Sequence, residues 1–200
     1  MRMTVMMAKK YGVKIGAHPS FLDPDHFGRR EMEVPKPLLK RQLLEQIAHL
    51  NQIATSFDMR LHHVKPHGAL YNLAAKSEDM AELVIEVMQE LGNNIFLYVP
   101  FNSVIEHLAK QRGISICVEA FADRNYNDDF SLVSRTEAHA IIEDPEEIKL
   151  RVDDMIRKQS ITSVNGVTKK VVIDTICIHG DHPNAVQIAK LLYDFKNQIN

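Results

Sequence analysis

Short apolar runs at residues 13–17, 61–64, 95–99, 114–118 and 175–178 each end in polar, chemically capable side chains. Each is followed by a stretch with helical periodicity. A strand covered on both faces reads as a continuous apolar run, and strand alternating with helix specifies a parallel sheet clothed in helices. The carboxyl ends of all strands in such a sheet lie along one rim, so residues distant in the chain are predicted to converge there. The residues so placed are His18, then Lys65 and His67, then Pro100 and Asn102, then Glu119, Asp123 and Arg124, and finally His179 and Asp181. The predicted fold class is therefore α/β, in a single domain over residues 1–200. Five units are too few to close a barrel of about eight strands, so an uncovered sheet edge is expected.

Helix positions follow from apolar spacing. Leu39, Leu43, Ile47, Leu50, Ala54 and Phe57 form one stripe, preceded by Pro35 and Pro37 where a helix start tolerates them. Met80, Leu83, Val84, Val87, Met88 and Leu91 form a second, with Ser77 as its cap and Glu78 and Asp79 at the positive end of its dipole. Val104, Ile105 and Leu108 mark a short helix, Asp144-Pro145-Glu146-Glu147 opens another through about Ile156, and the last follows Pro183. Residues 4–10 read as the body of an amphipathic helix. Asn165-Gly166 between β-forming residues predicts a hairpin near 161–173, with both turn residues at positive φ.

The net charge of −2 over 200 residues, with no basic stripe interleaved with aromatics, argues against nucleic acid as a partner. No run approaches the ~20 apolar residues of a membrane span, and residues 1–10 lack a signal-peptide layout, so the cytoplasm is the expected compartment. Cys117 and Cys177 sit within strand runs and are expected to be buried thiols.

The densest chemistry lies at Lys65-Pro66-His67-Gly68 through Tyr71 and Asn72. A lysine at a strand end holds an anion or a polarised carbonyl, and imidazole moves protons near neutral pH. His62 and His63, ahead of that strand end, are read as structural. His18 before Pro19 has the same form, and Arg29 and Arg30 beside Gly28 suit a carboxylate or phosphate. Glu119, Asp123 and Arg124 can orient a histidine, act as base or ion-pair locally. His179, Asp181 and His182 could in principle ligate a metal. No HExxH helix, Gly-rich phosphate loop or GxSxG elbow occurs, so a tightly bound transition metal is not predicted.

Together the segments GAHPSF, FGRR, HVKPHGALYN, EAFADR and IHGDHP closely resemble the LamB/YcsF family. So do DDFSLVSR with its Leu132 and Arg135, Asp144-Pro145-Glu146, the hairpin ahead of Asp174 and the TVMMAKKYGV lead-in. The resemblance implies an incomplete (β/α) TIM-like barrel of the glycoside hydrolase/deacetylase type. It implies ATP-dependent hydrolysis of the 5-oxoproline lactam to L-glutamate, with ADP and phosphate released, ATP arriving with Mg²⁺, and 5-oxoprolinase subunits B and C as partners. On that scheme Lys65, His67, Asp123, His179 and Asp181 are the catalytic candidates. His18, Arg29, Arg30, Tyr71, Asn72, Glu119 and Arg124 are candidates for holding substrate or anion. Family members usually carry a further few dozen leading residues with two more strand tips, which this chain is expected to lack. Two other readings stand beside the first: a metal-dependent amidase or deacetylase acting alone, and an inert scaffold whose open edge is covered by a second copy in a homodimer.

Overall fold

The computed structural model describes residues 1–199. Its elements in chain order are α1 (Arg2–Tyr11), β1 (Ile15–Ala17), a 3-10 turn (Pro24–His26), α2 (Lys36–Thr55), β2 (Leu61–Val64), α3 (Gly68–Lys76), α4 (Glu78–Leu91), β3 (Phe96–Pro100) and α5 (Val104–Gln111). They continue as β4 (Ile116–Phe121), α6 (Pro145–Arg157), β5 (Ser160–Thr162), β6 (Thr168–Lys170), β7 (Thr175–Cys177) and α7 (Ala185–Ile199). The sheet order is β1-β2-β3-β4-β7, with parallel pairing in the β1·β2, β2·β3 and β4·β7 ladders. An order that follows the chain, without the reversal of a doubly wound sheet, is that of an incomplete TIM-like β/α barrel.

The chain divides into two compact units, Met1–Cys117 and a second beginning at Val118. In the first, α4 packs against α2, α3 and α5. Leu39, Leu43 and Ile47 of α2, Leu70 of α3, and Val84, Ile85 and Met88 of α4 are buried with Leu97 and Val99 of β3. The expected α2 stripe holds through Ala54; Phe57 lies beyond the helix, with the Arg2 guanidinium 5.4 Å from its ring centroid. In the second unit Ala122, Ile142, Ile148, Val152, Ile188 and Phe195 form the core, with Ile176, Ile178 and Leu192 against it.

Caps fall where the sequence places them. The Ser77 hydroxyl accepts from Met80 N–H at 3.4 Å, and Asp144 Oδ1 accepts from Glu146 N–H at 3.0 Å. Ser77→Ala is expected to cost about 1 kcal/mol. A calorimetric melting temperature lower by about 2–4 °C checks this. No helix among the described residues is long and apolar enough to cross a membrane.

Four details differ from expectation. Residues 68–76, which none of the expected apolar stripes covers, form α3, because Leu70, Tyr71 and Ala74 bury one face of it. Strand β4 runs on to Phe121, so Glu119 lies inside the strand, in register with Thr175, rather than at its tip. The β5·β6 hairpin is present, with Ile161 opposite Lys169, but five residues separate its strands and only Gly166 of the pair has positive φ. The longer loop is set by Asp128, whose carboxylate accepts from Ser163 Oγ and from Asn165 Nδ2 at 3.1 Å. Cys117 and Cys177 form no disulfide and are half-buried rather than buried.

Candidate functional site

In the first unit the ends of β1 and β2 are aligned: Ala17 pairs with Val64, and Lys65 N–H donates to Ala17 O at 2.9 Å. That register brings His18 and Lys65, 47 residues apart, side by side, and His18 Nδ1–H donates to Lys65 O at 2.6 Å. His67 caps the start of α3, its own N–H donating to Pro19 O at 2.9 Å. Its ring lies between His18, with Nδ1 to Nε2 at 2.8 Å, and the Phe27 carbonyl, to which Nε2–H donates at 2.7 Å. The Lys65 ammonium stands 5.8 Å from the ring centroid of buried Tyr71, and the Arg29 guanidinium 5.2 Å from that of Phe27. Within this unit, then, His18, Lys65, His67, Tyr71 and Arg29 form one neighbourhood. Arg30 goes elsewhere, its Nε 4.0 Å from Asp23 Oδ2, and Asn72 is exposed outside these bonds.

His63 has the structural part expected of it. A bulge between Ile15 and Gly16 skips His62 and sets Gly16 opposite His63. The His63 ring stacks on Tyr98, centroids 3.9 Å apart, and occupies the space a Cβ at Gly16 would need, 2.2 Å from its Nε2. Burial, helped by the charges of His62, Lys65 and Lys14, depresses its pKa to about 4, so it stays neutral.

In the second unit Asp123 and His179 form a tight pair. Asp123 is 1% exposed; its Oδ2 accepts from His179 N–H at 2.9 Å and its Oδ1 from the ring Nδ1–H at 2.9 Å. Phe121 stacks on the imidazole with centroids 5.4 Å apart. Burial works against the Asp123 charge, but the hydrogen bonds and charge attraction of His179 outweigh it and lower the carboxyl's pKa. With Nδ1 committed as donor, Nε2 is the ring's proton acceptor, the tautomer a general base requires. Asp181 is exposed, its Oδ2 3.9 Å from Arg135 Nη1.

Arg124 and His182 both bond to the main chain. The buried Arg124 guanidinium donates to the carbonyls of Ala140 and Val133, which fastens the 133–140 loop. His182 Nε2–H donates to Ile142 O at 2.9 Å while its Nδ1 accepts from Asn184 N–H, so neither nitrogen is left for a metal. Among the described residues no three His, Cys, Asp or Glu side chains are grouped to hold a metal. Sequence reading passed over Phe27, whose part is played by its main chain. It passed over Tyr126, whose buried hydroxyl accepts from Phe121 N–H at 2.8 Å, and Arg151, which donates to the Arg124 carbonyl.

Known proteins match nearly the whole length of the chain. A solved structure of a lactam utilization protein from Thermus thermophilus superposes with a TM-score of 0.91 at 33% identity, over 99% of this chain and 79% of that one. A Pyrococcus horikoshii protein, named as the A subunit of 5-oxoprolinase, is 41% identical over 96% of this chain and 75% of its own length. A Bacillus cereus protein of the same name is 41% identical over 96% of this chain and 77% of its own. That name places those relatives in a multi-subunit enzyme. The LamB/YcsF family model matches residues 1–199, and the chain belongs to the LamB/YcsF family.

Proposed function

We propose that the chain is the lactam-opening subunit of an ATP-dependent 5-oxoprolinase, acting with subunits B and C to convert 5-oxoproline to L-glutamate with release of ADP and phosphate. The observation that carries the reading is the near-complete match, 41% identical over 96% of the chain, to a protein named as the A subunit of 5-oxoprolinase. The side-chain chemistry of each unit suits it.

A lactam amide is resonance-stabilised, so water attacks it slowly. Transfer of the γ-phosphoryl group of ATP to the lactam oxygen, with ADP leaving, makes the carbon electrophilic. Water then adds, the C–N bond breaks as nitrogen takes a proton, and a second water releases phosphate from the acyl phosphate to leave glutamate. Lys65 and Arg29 would neutralise the substrate carboxylate or the transferred phosphoryl group. His179, held by Asp123, is suited to take a proton from water, and His67 and His179 together are the candidates for general acid and base, a role typically worth ~10²–10⁴-fold. Mg²⁺ accompanies ATP and draws its ligands mainly from phosphate and water, with one or two carboxylates. Both Asp123 oxygens already accept from His179, so that carboxylate orients its histidine; Asp181 has the hard oxygen donors such an ion takes.

The test is glutamate formation from 5-oxoproline with purified subunits, with and without ATP, before and after chelation of transition metals. Turnover that needs ATP and survives chelation is expected. Chelator-sensitive hydrolysis without ATP would overturn the proposal in favour of a metal-dependent amidase.

A further inference from the structure

The contact between His18 and His67 carries a proton count that its surroundings impose. His18 Nδ1 lies 2.6 Å from the Lys65 carbonyl oxygen, and His67 Nε2 lies 2.7 Å from that of Phe27. A carbonyl can only accept, so both of these outer ring nitrogens bear hydrogen. The inner nitrogens, His18 Nε2 and His67 Nδ1, are 2.8 Å apart. A neutral imidazole has one protonated nitrogen, so two neutral rings would set two lone pairs against each other at hydrogen-bond distance. Two imidazolium rings would set two N–H groups against each other. One proton between the inner nitrogens is the count that makes the contact a hydrogen bond.

We propose that His18 and His67 share a single proton and act as one monocationic unit, whose charge faces an anionic group of the substrate, carboxylate or phosphate. The shared proton follows from the geometry alone; the anionic group it faces rests on the function proposed above.

The scaffold holds the outer acceptors fixed. Lys65 and His67 are tied through their N–H groups to Ala17 O and Pro19 O, and Ala69 N–H donates to Gly28 O at 3.0 Å. Phe27 has a left-handed backbone, φ 56°, and its ring meets that of His67 edge-on at 5.1 Å. The rings therefore cannot relieve an unfavourable proton count by turning without losing a bond to carbonyl. The titratable and charged groups on the neighbouring elements include Lys65 and His63 of β2 and its end, Tyr71 on α3, Arg29 beside Phe27, and the Asp23, His26 and Arg30 cluster at the 3-10 turn. Positive charge on Lys65 and Arg29 works against any proton added to the pair, so the shared proton is held by the 2.8 Å contact and the two carbonyl acceptors. Such a pair titrates in two separated steps that belong to both rings together.

The test needs no substrate. Long-range proton–nitrogen correlation spectra of the histidine-labelled chain report the protonation of each ring nitrogen. At about pH 8, more than a unit above the ~6.5 of an ordinary imidazole, both outer nitrogens are expected to be fully protonated. The two inner ones should show intermediate, shared character. His18→Gln should abolish that signature and return His67 to one-step titration. Two neutral rings at that pH, each with one fully unprotonated nitrogen, would overturn the proposal, as would a His67 titration unchanged in His18→Gln. The wild-type spectrum, assigned through bonds from the main chain, decides the matter alone if the variant does not fold. A bridging proton without lactam turnover would sink the proposed function and leave the shared proton standing; turnover without a bridging proton would do the reverse.

Discussion

Asp123→Asn is expected to lower 5-oxoproline-dependent turnover by about 10²–10⁴-fold while leaving the chain folded. Both carboxylate oxygens are used: Oδ2 accepts from the His179 main-chain N–H at 2.9 Å and from the ring Nδ1–H at 3.0 Å, and Oδ1 accepts from the same Nδ1–H at 2.9 Å. An asparagine has one acceptor and one amino group, so one of these donors must face another donor. If the ring turns its tautomer to suit the amide, Nε2 becomes protonated and can no longer take a proton from water. The variant also changes the response to acid. Because the folded-state pKa of Asp123 lies below its usual 3.8, ionised Asp123 contributes stability that is complete above that value. The contribution is lost as pH falls through the lower folded-state pKa. Denaturant unfolding of the wild type should therefore show an acid limb below about pH 4 that Asp123→Asn flattens. Kinetics within threefold of wild type, or an unchanged acid limb, would contradict these assignments.

Gly68→Ala is expected to destabilise the first unit by more than about 2 kcal/mol, lowering the melting temperature by about 4–8 °C or more. Gly68 has φ +59°, a left-handed conformation that costs a non-glycine residue about 1–2 kcal/mol. An added Cβ would also lie 2.4 Å from Gly28 O and 3.0 Å from Gly28 C, and main chain cannot step aside as a flexible side-chain tip can. The relief available is withdrawal of the 27–29 segment from α3. That would break the Ala69 N–H bond to Gly28 O and take the Phe27 carbonyl away from His67. The same variant should therefore lose the bridged-proton signature of the histidine pair. A melting temperature within about 2 °C of wild type, under 1 kcal/mol, would show that the close approach is not a constraint.

Much of the fold was legible because buried parallel strands leave continuous apolar runs and because Ser77 and Asp144 mark helix starts by side-chain chemistry the backbone requires. Helix α3 was missed since it is short, begins at a glycine in left-handed conformation, and has no side-chain hydrogen bond at its cap. The aligned ends of β1 and β2 are the signal that could have paired His18 with Lys65: two apolar runs stop at comparable points, and each is soon followed by proline. No sequence signal exposes the Phe27 carbonyl as the partner of His67, because any residue supplies a carbonyl. The bonds of Arg124 and His182 were hidden for the same reason. Their partners are main-chain oxygens of Val133, Ala140 and Ile142, placed only by the folded loop. Asp123 and His179, 56 residues apart, are both chemically distinctive and both follow strand runs, which is why their residue types were informative before their bond was known.

Lactam opening by this chain's own side chains is the central claim. The direct measurement is ATP-dependent glutamate release from 5-oxoproline by the chain with subunits B and C, run beside Lys65→Ala of equal thermal stability. Steady release by the wild type, falling at least ~10²-fold in the variant, is the predicted result. No glutamate from the wild-type assembly, or a Lys65→Ala rate near that of the wild type, would contradict it.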